Sequence, residues 1–322
     1  MRTHSRAPRR ARRGFTLIEL VVVLVLMGIV CGAILQLLAR QQRFYKSTSE
    51  VIDNRTQLRD AIFIVPADLR GVSSIGGDIR TMGLTSTEFF SNIGSSIVCS
   101  YAGIGSATIS LPPRTLASGT MLTAWLSQPQ PGDVVFLYDN GTTVGNADDS
   151  WARYQIAAGG FQSAVDPSWC PTARGFTSAA DAGATSYRIT LSVAPNQSRS
   201  PIGSPIRFMR AVRYSLYQAA DNRWYLGLET CDANVVGNCT DRQPISGPYL
   251  PATTDPATSG LAFRYYDRNG VELTSVADAP RVARIEMVVR SQTVAPRATF
   301  GGGQAQQVRD SLAVTIGIRN RV

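Results

Sequence analysis

Histidine is almost absent from the 322-residue sequence: the one histidine, His4, lies within the first fourteen residues. A Ser-His-Asp or Cys-His arrangement therefore cannot form in the rest of the chain. The sequence also contains no G-x-G-x-x-G pattern, no P-loop and no C-x-x-C pair. The usual motifs for binding dinucleotides, nucleoside triphosphates and zinc are thus missing. We predict that the protein is not an enzyme.

Charged residues are scarce as well, at 17% of the chain. The net charge is +9, and the first fourteen residues, MRTHSRAPRRARRG, contribute six arginines and no acid. Removing these six leaves a net charge of about +3, which gives little attraction for nucleic acid. Two segments, IRFMRAVRYSLYQ and FRYYDRNG, alternate arginines with aromatic residues, as nucleic-acid-binding faces do. An outward row of arginines on an exposed strand is the alternative interpretation.

Cysteines number five, and Cys31 lies inside an apolar run, where it is interpreted as a small packed residue. The other four allow three disulfide pairings. Cys231 and Cys239 bracket the short segment CDANVVGNC and are the expected pair, which leaves Cys99 with Cys170. The alternative is that some of the four are free buried thiols. Metal binding is not expected, because no histidine accompanies them.

The one long apolar run extends from Phe15 to Leu38 and is interrupted by Thr16, Glu19 and Gln36. As a helix, these residues would extend about 36 Å, and the hydrocarbon core of a bilayer is about 30 Å thick. The arginine-rich leader should remain in the cytoplasm, which places the residues after the apolar run outside the cytoplasm. We therefore predict a single-pass inner-membrane protein in contact with lipid.

Glu19 does not fit an ordinary membrane anchor, because a charged residue at mid-bilayer costs about 2.5–3.5 kcal/mol on insertion scales. A secretory signal has a shorter apolar core and a small-x-small cleavage site. A lipoprotein signal would place small residues before Cys31, where Ile29 and Val30 stand.

The segment RRGFTLIELVVVLVLMG resembles the N-terminal signal of type IV pilins and type II secretion pseudopilins. The resemblance implies that a prepilin peptidase cuts after Gly14 and methylates the new terminal amine of Phe15. It implies assembly with other pilin-like subunits on an inner-membrane platform. Glu19 is then the fifth mature residue, and its carboxylate would pair with the amine of a neighbouring subunit. Pairing with the amine of its own Phe15 is the alternative.

The run is followed by an amphipathic segment, in which apolar residues recur at steps of three, four and seven. They are Phe44 or Tyr45, Val51 or Ile52, Leu58, Ile62 and Val65. Pro66 should end or kink the helix near Val65. Many pilins have a proline in the apolar run where this chain has Gln36, so this helix should be straighter. The predicted regions are a leader at 1–14, a transmembrane half at 15–38, an amphipathic half at 39–65 and a β-rich domain at 66–322.

Short β-segments separated by turns dominate from about residue 72 onward. In SLAVTIGIRN and RVARIEMVVR, apolar residues alternate with polar or small ones, which predicts strands with one buried face. Asp139-Asn140-Gly141, Asp221-Asn222 and Asn269-Gly270 indicate hairpins. The predicted fold class is α+β, with the long helix packed on an antiparallel sheet, which is the pilin plan.

The succession AVRYSLYQ, RWYLGLET, LAFRYYDRNGVEL, PRVARIEMVVR and LAVTIGIRN resembles PilW-like minor pilins and the J-type pseudopilin. This implies a minor subunit that primes, caps or modifies a type IV pilus or a type II secretion pseudopilus. The alternative is a DNA-binding or adhesive minor pilin that presents its β-domain to a ligand.

One loop, YDNGTTVGNADDS, collects hard oxygen ligands of the kind that calcium prefers. Its carboxylates are Asp139, Asp148 and Asp149. The spacing is not that of an EF-hand, and a solvated Asx-rich turn has the same composition. Calcium is the one cofactor for which the sequence has candidate ligands.

Overall fold

The computed structural model describes residues 16–143, 145, 147–293 and 307–318. The predicted cleavage residues Gly14 and Phe15 lie outside the described residues, as do Asn146 of the acidic loop and the last four residues of the chain. The chain divides into two compact units, one of residues 1–53 with 293–308 and the other of residues 54–292 with 309–322. The first contains the beginning of a long helix, and the second contains the end of that helix and the β-strands.

The helix, α1, extends over Leu17–Leu69. Its stretch within the first unit is long and apolar enough to cross a membrane, and none of that apolar window is buried. From Leu17 to Leu38 every large apolar side chain is exposed, by 46% to 83%. The α+β fold predicted from the sequence, a long N-terminal helix followed by antiparallel sheet, is confirmed.

The end of α1 differs from the prediction, because the helix continues through Pro66 to Leu69. Proline has no N–H to donate, so one backbone hydrogen bond is lost at that position. The last turn is nevertheless closed by the Arg70 N–H, which donates to the Pro66 carbonyl at 3.1 Å. Burial of Pro66 and Leu69 also stabilises it. Of the two outcomes predicted for Pro66, an end of the helix near Val65 is wrong by one turn, and a kink there stays a prediction.

The strands of the described residues form two antiparallel sheets. Their bounds are β1 Ile79–Met82, β2 Ser86–Ile97, β3 Ser100–Tyr101, β4 Thr108–Leu111, β5 Ala124–Trp125, β6 Val134–Asp139, β7 Ser150–Ala164, β8 Ser186–Leu191, β9 Pro205–Gln218, β10 Trp224–Cys231, β11 Cys239–Tyr249, β12 Leu261–Tyr266, β13 Glu272–Leu273, β14 Arg284–Gln292 and β15 Arg309–Gly317. Short 3₁₀ helices occur at Thr172–Arg174, Ala179–Asp181 and Val276–Arg281.

The larger sheet has the order β1-β2-β9-β6-β7-β8-β4-β3, with β10 joined to β9 and β11, and β5 joined to β2. The smaller sheet has the order β13-β12-β14-β15. Hairpins lie at all three predicted turns: Asp139-Asn140-Gly141 follows β6, Asp221-Asn222 joins β9 to β10, and Asn269-Gly270 joins β12 to β13. Asn222 and Gly270 take positive φ values of 61° and 83°, which these residue types tolerate.

The main core of the second unit joins α1 to both sheets. Four α1 side chains spaced by three and four residues are fully buried: Leu58, Ala61, Val65 and Leu69. They share this core with Phe89 and Tyr214 of the larger sheet and with Phe263, Ile285, Met287 and Ile316 of the smaller one. The sequence also placed Val51 or Ile52 on the buried face; Val51 is half-buried and Ile52 is 59% exposed. The buried stripe therefore begins at Leu58.

Two of the long strands, β2 and β11, were not predicted from the sequence, for identifiable reasons. β2, STEFFSNIGSSI, is rich in serine and interrupted by asparagine and glycine, which are typical of loops. It is nonetheless a central strand, since it pairs with both β1 and β9. β11 contains Pro244 and Pro248, which are compatible with an edge strand.

Candidate assembly site

Glu19 lies in the first turn of α1 and is the only charged side chain from Thr16 to Leu38. Its backbone N–H donates to Thr16 Oγ1 at 3.3 Å, and the Leu20 N–H donates to the Thr16 carbonyl at 3.2 Å. The hydroxyl thus satisfies one of the backbone donors that a helix leaves unpaired at its N-terminus. A carboxylate in the first turn also interacts favourably with the helix dipole.

Thr16 is a site residue that the sequence analysis missed as a helix cap. The segment Thr16-Leu17-Ile18-Glu19 has the S/T-x-x-E spacing of a capping box, followed directly by an apolar run. That spacing could have identified where the helix begins. The cap holds the helix start three residues before Glu19 and so fixes the position of its side chain on the helix.

The surface around Glu19 is apolar on all sides of the helix. Leu17, Ile18 and Leu20 are exposed by 83%, 72% and 55%. An exposed apolar surface of this length is stable only when lipid or other apolar protein covers it. Glu19 is exposed as well, so its carboxylate is available to a group outside this chain. The arrangement suits a helix that leaves lipid to pack against other helices.

The predicted disulfide partners lie together in the structure. Cys99 bonds to Cys170, with Cα atoms 5.4 Å apart, and Cys231 bonds to Cys239, with Cα atoms 3.9 Å apart. Both cystines belong to the second unit. Cys31 lies in the stretch of α1 that this chain leaves exposed, so its interpretation as a small packed residue stays a prediction.

Among the described residues, one group of three potential metal-ligating side chains lies within 4.8 Å, and it consists of Glu88, Cys231 and Cys239. Both cysteines are oxidised to the cystine, so neither sulfur can act as a thiolate ligand. The Glu88 carboxylate instead accepts a hydrogen bond from the Gly237 N–H at 2.9 Å and pairs with Arg80 at 2.8 Å. This cluster is a structural anchor for the cystine loop.

The three calcium candidates, Asp139, Asp148 and Asp149, each contact donors of the protein. Asp139 Oδ1 accepts hydrogen bonds from Arg199 Nε at 2.7 Å and from the Gly141 N–H at 3.0 Å. An arginine at this distance competes with a cation for the same oxygen.

Asp148 accepts hydrogen bonds from the backbone N–H groups of Thr142, at 2.6 Å, and Thr143, at 3.1 Å, and from both hydroxyls. These donors, the Thr142 N–H first among them, hold the pKa of the Asp148 carboxyl below its ordinary value. Asp149 accepts from the Tyr138 hydroxyl. The loop carboxylates therefore fasten the loop to itself, as an Asx-rich turn does.

The arginines of the two arginine–aromatic segments are mostly compensated within the chain. Arg207 stacks over the Trp151 ring, with its guanidinium carbon 4.2 Å from the ring centre. Three others pair with carboxylates: Arg210 with Asp133, Arg213 with Glu229 and Arg264 with Glu272. These pairs place carboxylates beside the arginines and reduce the positive field that a nucleic-acid backbone would meet.

Comparison with known proteins identifies the N-terminal region. Residues 9–35 match the family model described as the prokaryotic N-terminal methylation motif. No curated protein matches the chain, and no solved structure does. Together with the long apolar helix, the match fits a type IV pilin-like prepilin signal at the N-terminus of this chain. Such a signal implies processing by a prepilin peptidase, assembly with other pilin subunits and an inner-membrane anchor.

Proposed function

We propose that the protein is a minor pilin or pseudopilin. It is a non-catalytic subunit that primes, caps or modifies a type IV pilus or a type II secretion pseudopilus. The observation that carries this proposal is Glu19, the single charged side chain in the exposed and mainly apolar helical stretch from Leu17 to Leu38. Its contribution at the helix N-terminus is small compared with the cost of a charge in an apolar medium, so the position favours a positive group that reaches it in the assembled state.

The positive group is the methylated N-terminal amine of Phe15 in a neighbouring subunit. Each charge alone is unfavourable in an apolar medium, whereas the two together compensate one another. Pairing therefore favours one register of one helix against the next and selects assembled over isolated subunits. Within one chain, the amine of Phe15 competes for the same carboxylate, and this is the alternative interpretation.

A minor role is supported by the size of the second unit, which carries two antiparallel sheets beyond α1. Major pilins are usually much shorter, and a bulky domain suits a subunit present at one end of a filament. The two cystines favour placement of this domain outside the cytoplasm, where disulfides persist. The arginine-rich leader indicates the same orientation.

A non-catalytic role is supported by the lack of histidine after His4 and by the engagement of the loop carboxylates with protein donors. The carboxylate-paired arginines favour assembly over DNA binding. The second unit then contributes by its shape and contacts rather than by turnover.

The test is the substitution of Glu19 in the full-length protein in its native membrane. We expect Glu19→Ala and Glu19→Gln to be cleaved and methylated normally but to enter filaments about tenfold to a hundredfold less. Glu19→Asp should recover part of the incorporation. Gln36→Ala, a polar-to-apolar change in the same exposed helix, is the matched control and should incorporate normally.

Intact mass and N-terminal sequencing supply the processing readout. A chain that begins at methylated Phe15 and incorporates poorly only in the Glu19 variants would support the pairing. Normal incorporation of Glu19→Ala would exclude pairing between subunits. A membrane-bound chain that still begins at Met1, in cells with active prepilin peptidase, would exclude the proposed function as a whole.

A further inference from the structure

β15 has one unpaired edge. Within the part of the chain that the structure describes, it pairs with β14 alone, and it is the last strand of the smaller sheet. Its nine residues extend about 30 Å at the usual rise per residue, which is enough for a complete additional strand. An open edge of this length is a ready-made template for another β-strand.

The alternation of the β14–β15 ladder shows which groups point outward. Ile318 N–H donates to the Ala283 carbonyl at 3.0 Å, so these opposed residues form a hydrogen-bonded pair. The register continues from this pair without a shift as far as Gln292 and Arg309. Every second residue therefore directs its N–H and C=O away from β14: Arg309, Ser311, Ala313, Thr315 and Gly317.

The outward positions in the middle of this edge are small and uncharged. The Ser311 N–H is engaged by Asp310 Oδ1 at 2.9 Å, so Ala313, Thr315 and Gly317 carry the open part of the edge. All three residues are exposed. Nothing in their side chains prevents another backbone from approaching to hydrogen-bond distance.

The other described edge strands are short or interrupted, which makes β15 distinctive. β11 carries Pro244 and Pro248, and β1 has four residues with a register irregularity. β3, β5 and β13 have two residues each. Short strands, bulges and prolines are the usual protections of a sheet edge against pairing. β15 has no proline, and no charged residue stands between Asp310 and Gly317.

The core next to β15 is incompletely covered. Leu312 and Val314 point towards the core, yet both are half-buried, whereas their β14 partners Val289 and Met287 are completely buried. An additional strand would cover Leu312 and Val314 with its own apolar residues at alternating positions. Its other face would carry small polar residues beside Ala313 and Thr315. The edge therefore fits a strand with a strictly alternating apolar and small-polar pattern.

We propose that the free edge of β15 receives an extended strand of a neighbouring pilin-like subunit. This inference rests on the proposed function. Continuity with the assembly helix favours a neighbouring subunit as the occupant: Arg55 Nε of α1 bonds to Asp310 Oδ2 at the start of β15, at 3.0 Å. The edge therefore begins beside α1 at Arg55, which lies 17 residues beyond Leu38 on the same helix, Leu38 being the end of the exposed stretch that the proposed function assigns to assembly.

The experiment uses photo-cross-linking of the full-length protein in its native membrane with its machine present. Thr315→p-benzoylphenylalanine places the probe on the open edge, and Gln243→p-benzoylphenylalanine places it on the proline-bearing edge of β11 as a matched control. We expect Thr315 to cross-link to another pilin-like subunit about tenfold more than Gln243, the difference that one or two hydrogen bonds of strand pairing produce.

Two backbone variants test whether the contact is strand pairing. Ala313→Pro removes an outward N–H without removing a bond to β14, so it should lower the Thr315 cross-link about tenfold. Ala313→Val keeps the N–H and should leave the cross-link intact. If Ala313→Pro lacks its two disulfides by mass analysis, Ala313→Lys replaces it, because a lysine protects an edge without changing the backbone.

Equal cross-linking from positions 315 and 243 would overturn the proposal. So would a Thr315 product that contains a second copy of this chain or lies within one chain, since either assigns the edge to another occupant. One result would overturn strand pairing and leave the proposed function intact: the wild-type chain enters filaments and Glu19→Ala does not, but the probe at position 315 gives no cross-linked product. If the wild-type chain never enters filaments, the proposed function is refuted, and the strand-pairing proposal that rests on it is refuted as well.

Discussion

Two stretches of the same helix both carry large apolar side chains, but these side chains are covered in different ways. From Leu17 to Leu38, apolar side chains surround the helix and all are exposed; Leu24, for example, is 61% exposed. From Asn54 to Leu69, the apolar residues form a stripe, and Leu58 is completely buried against both sheets. A helix that is apolar on all faces needs lipid or protein on every side, whereas a helix with one apolar face needs apolar contacts on that face only. The first stretch is therefore completed outside the chain and the second within it.

The largest expected effect comes from removing the cystines, which should lower the stability of the second unit and leave the exposed stretch of α1 unchanged. Cys99→Ser with Cys170→Ser opens a link across 71 residues and should lower the free energy of unfolding of the second unit by about 4 kcal/mol. Cys231→Ser with Cys239→Ser opens a link across 8 residues and should lower it by about 2.5 kcal/mol. Urea unfolding of the full-length chain in detergent measures both.

Membrane insertion of α1 should be the same in both cysteine variants, because both cystines lie in the second unit. Loss of insertion in either variant would contradict the separation of the two stretches. So would a larger loss of stability from the shorter link.

A matched pair of leucines tests the comparison directly. Leu58→Ala removes a completely buried side chain and should destabilise the second unit by about 2–5 kcal/mol. Leu24→Ala removes an equal volume from the exposed stretch and should change the same quantity by less than about 0.5 kcal/mol. Urea unfolding in detergent is the measurement, and equal effects of the two substitutions would break the comparison.

A buried carboxylate makes the stability of the second unit depend on pH. Burial raises the pKa of Asp78 from its ordinary 3.8 to about 6, against smaller lowering effects of the Ser73 N–H and of Arg207. Because the folded state binds this proton more tightly, its contribution is most stabilising below about pH 4 and is lost as the pH rises through about 6. The total change is about 1–3 kcal/mol.

Asp78→Asn should remove this part of the pH dependence, because the amide stays neutral and keeps an acceptor for the Ser73 N–H, which is 2.7 Å from Asp78 Oδ2. Unfolding by urea at pH 4, 5, 6 and 7 measures it. Asp241→Asn is the control, since Asp241 is exposed and has a positive φ of 53° that asparagine also tolerates. An unchanged pH profile in Asp78→Asn would refute the assignment.

The smallest expected effect concerns the ion pair between α1 and β15. Arg55→Ala removes the partner of Asp310, but the Arg55 side chain is 61% exposed. Such pairs contribute about 0–1 kcal/mol, so the stability of the second unit should change by less than about 1 kcal/mol. A larger loss of unfolding free energy would show that α1 near Arg55 depends on polar contacts as well as on its buried apolar side chains.

Local patterns predicted much of the molecule. The alternation in RVARIEMVVR placed Ile285, Met287 and Val289 on a buried face, and all three are completely buried. The prepilin-like signal was evident from Gly14, Phe15 and Glu19 because its features are consecutive in the chain. β2 was not predictable in this way, because its serine-rich segment becomes a strand only through long-range pairing with β9.

The sequence by itself determined the elements that depend on neighbouring residues: the prepilin-like signal, the long helix, the alternating strands and the turns. Only the tertiary structure decided which apolar residues of α1 are buried, how far the helix continues past Pro66, and which strand keeps an open edge. The physical reason is that periodicity describes how one segment presents its side chains. Burial and edge pairing depend on which distant segment lies against it, and a single segment does not encode that.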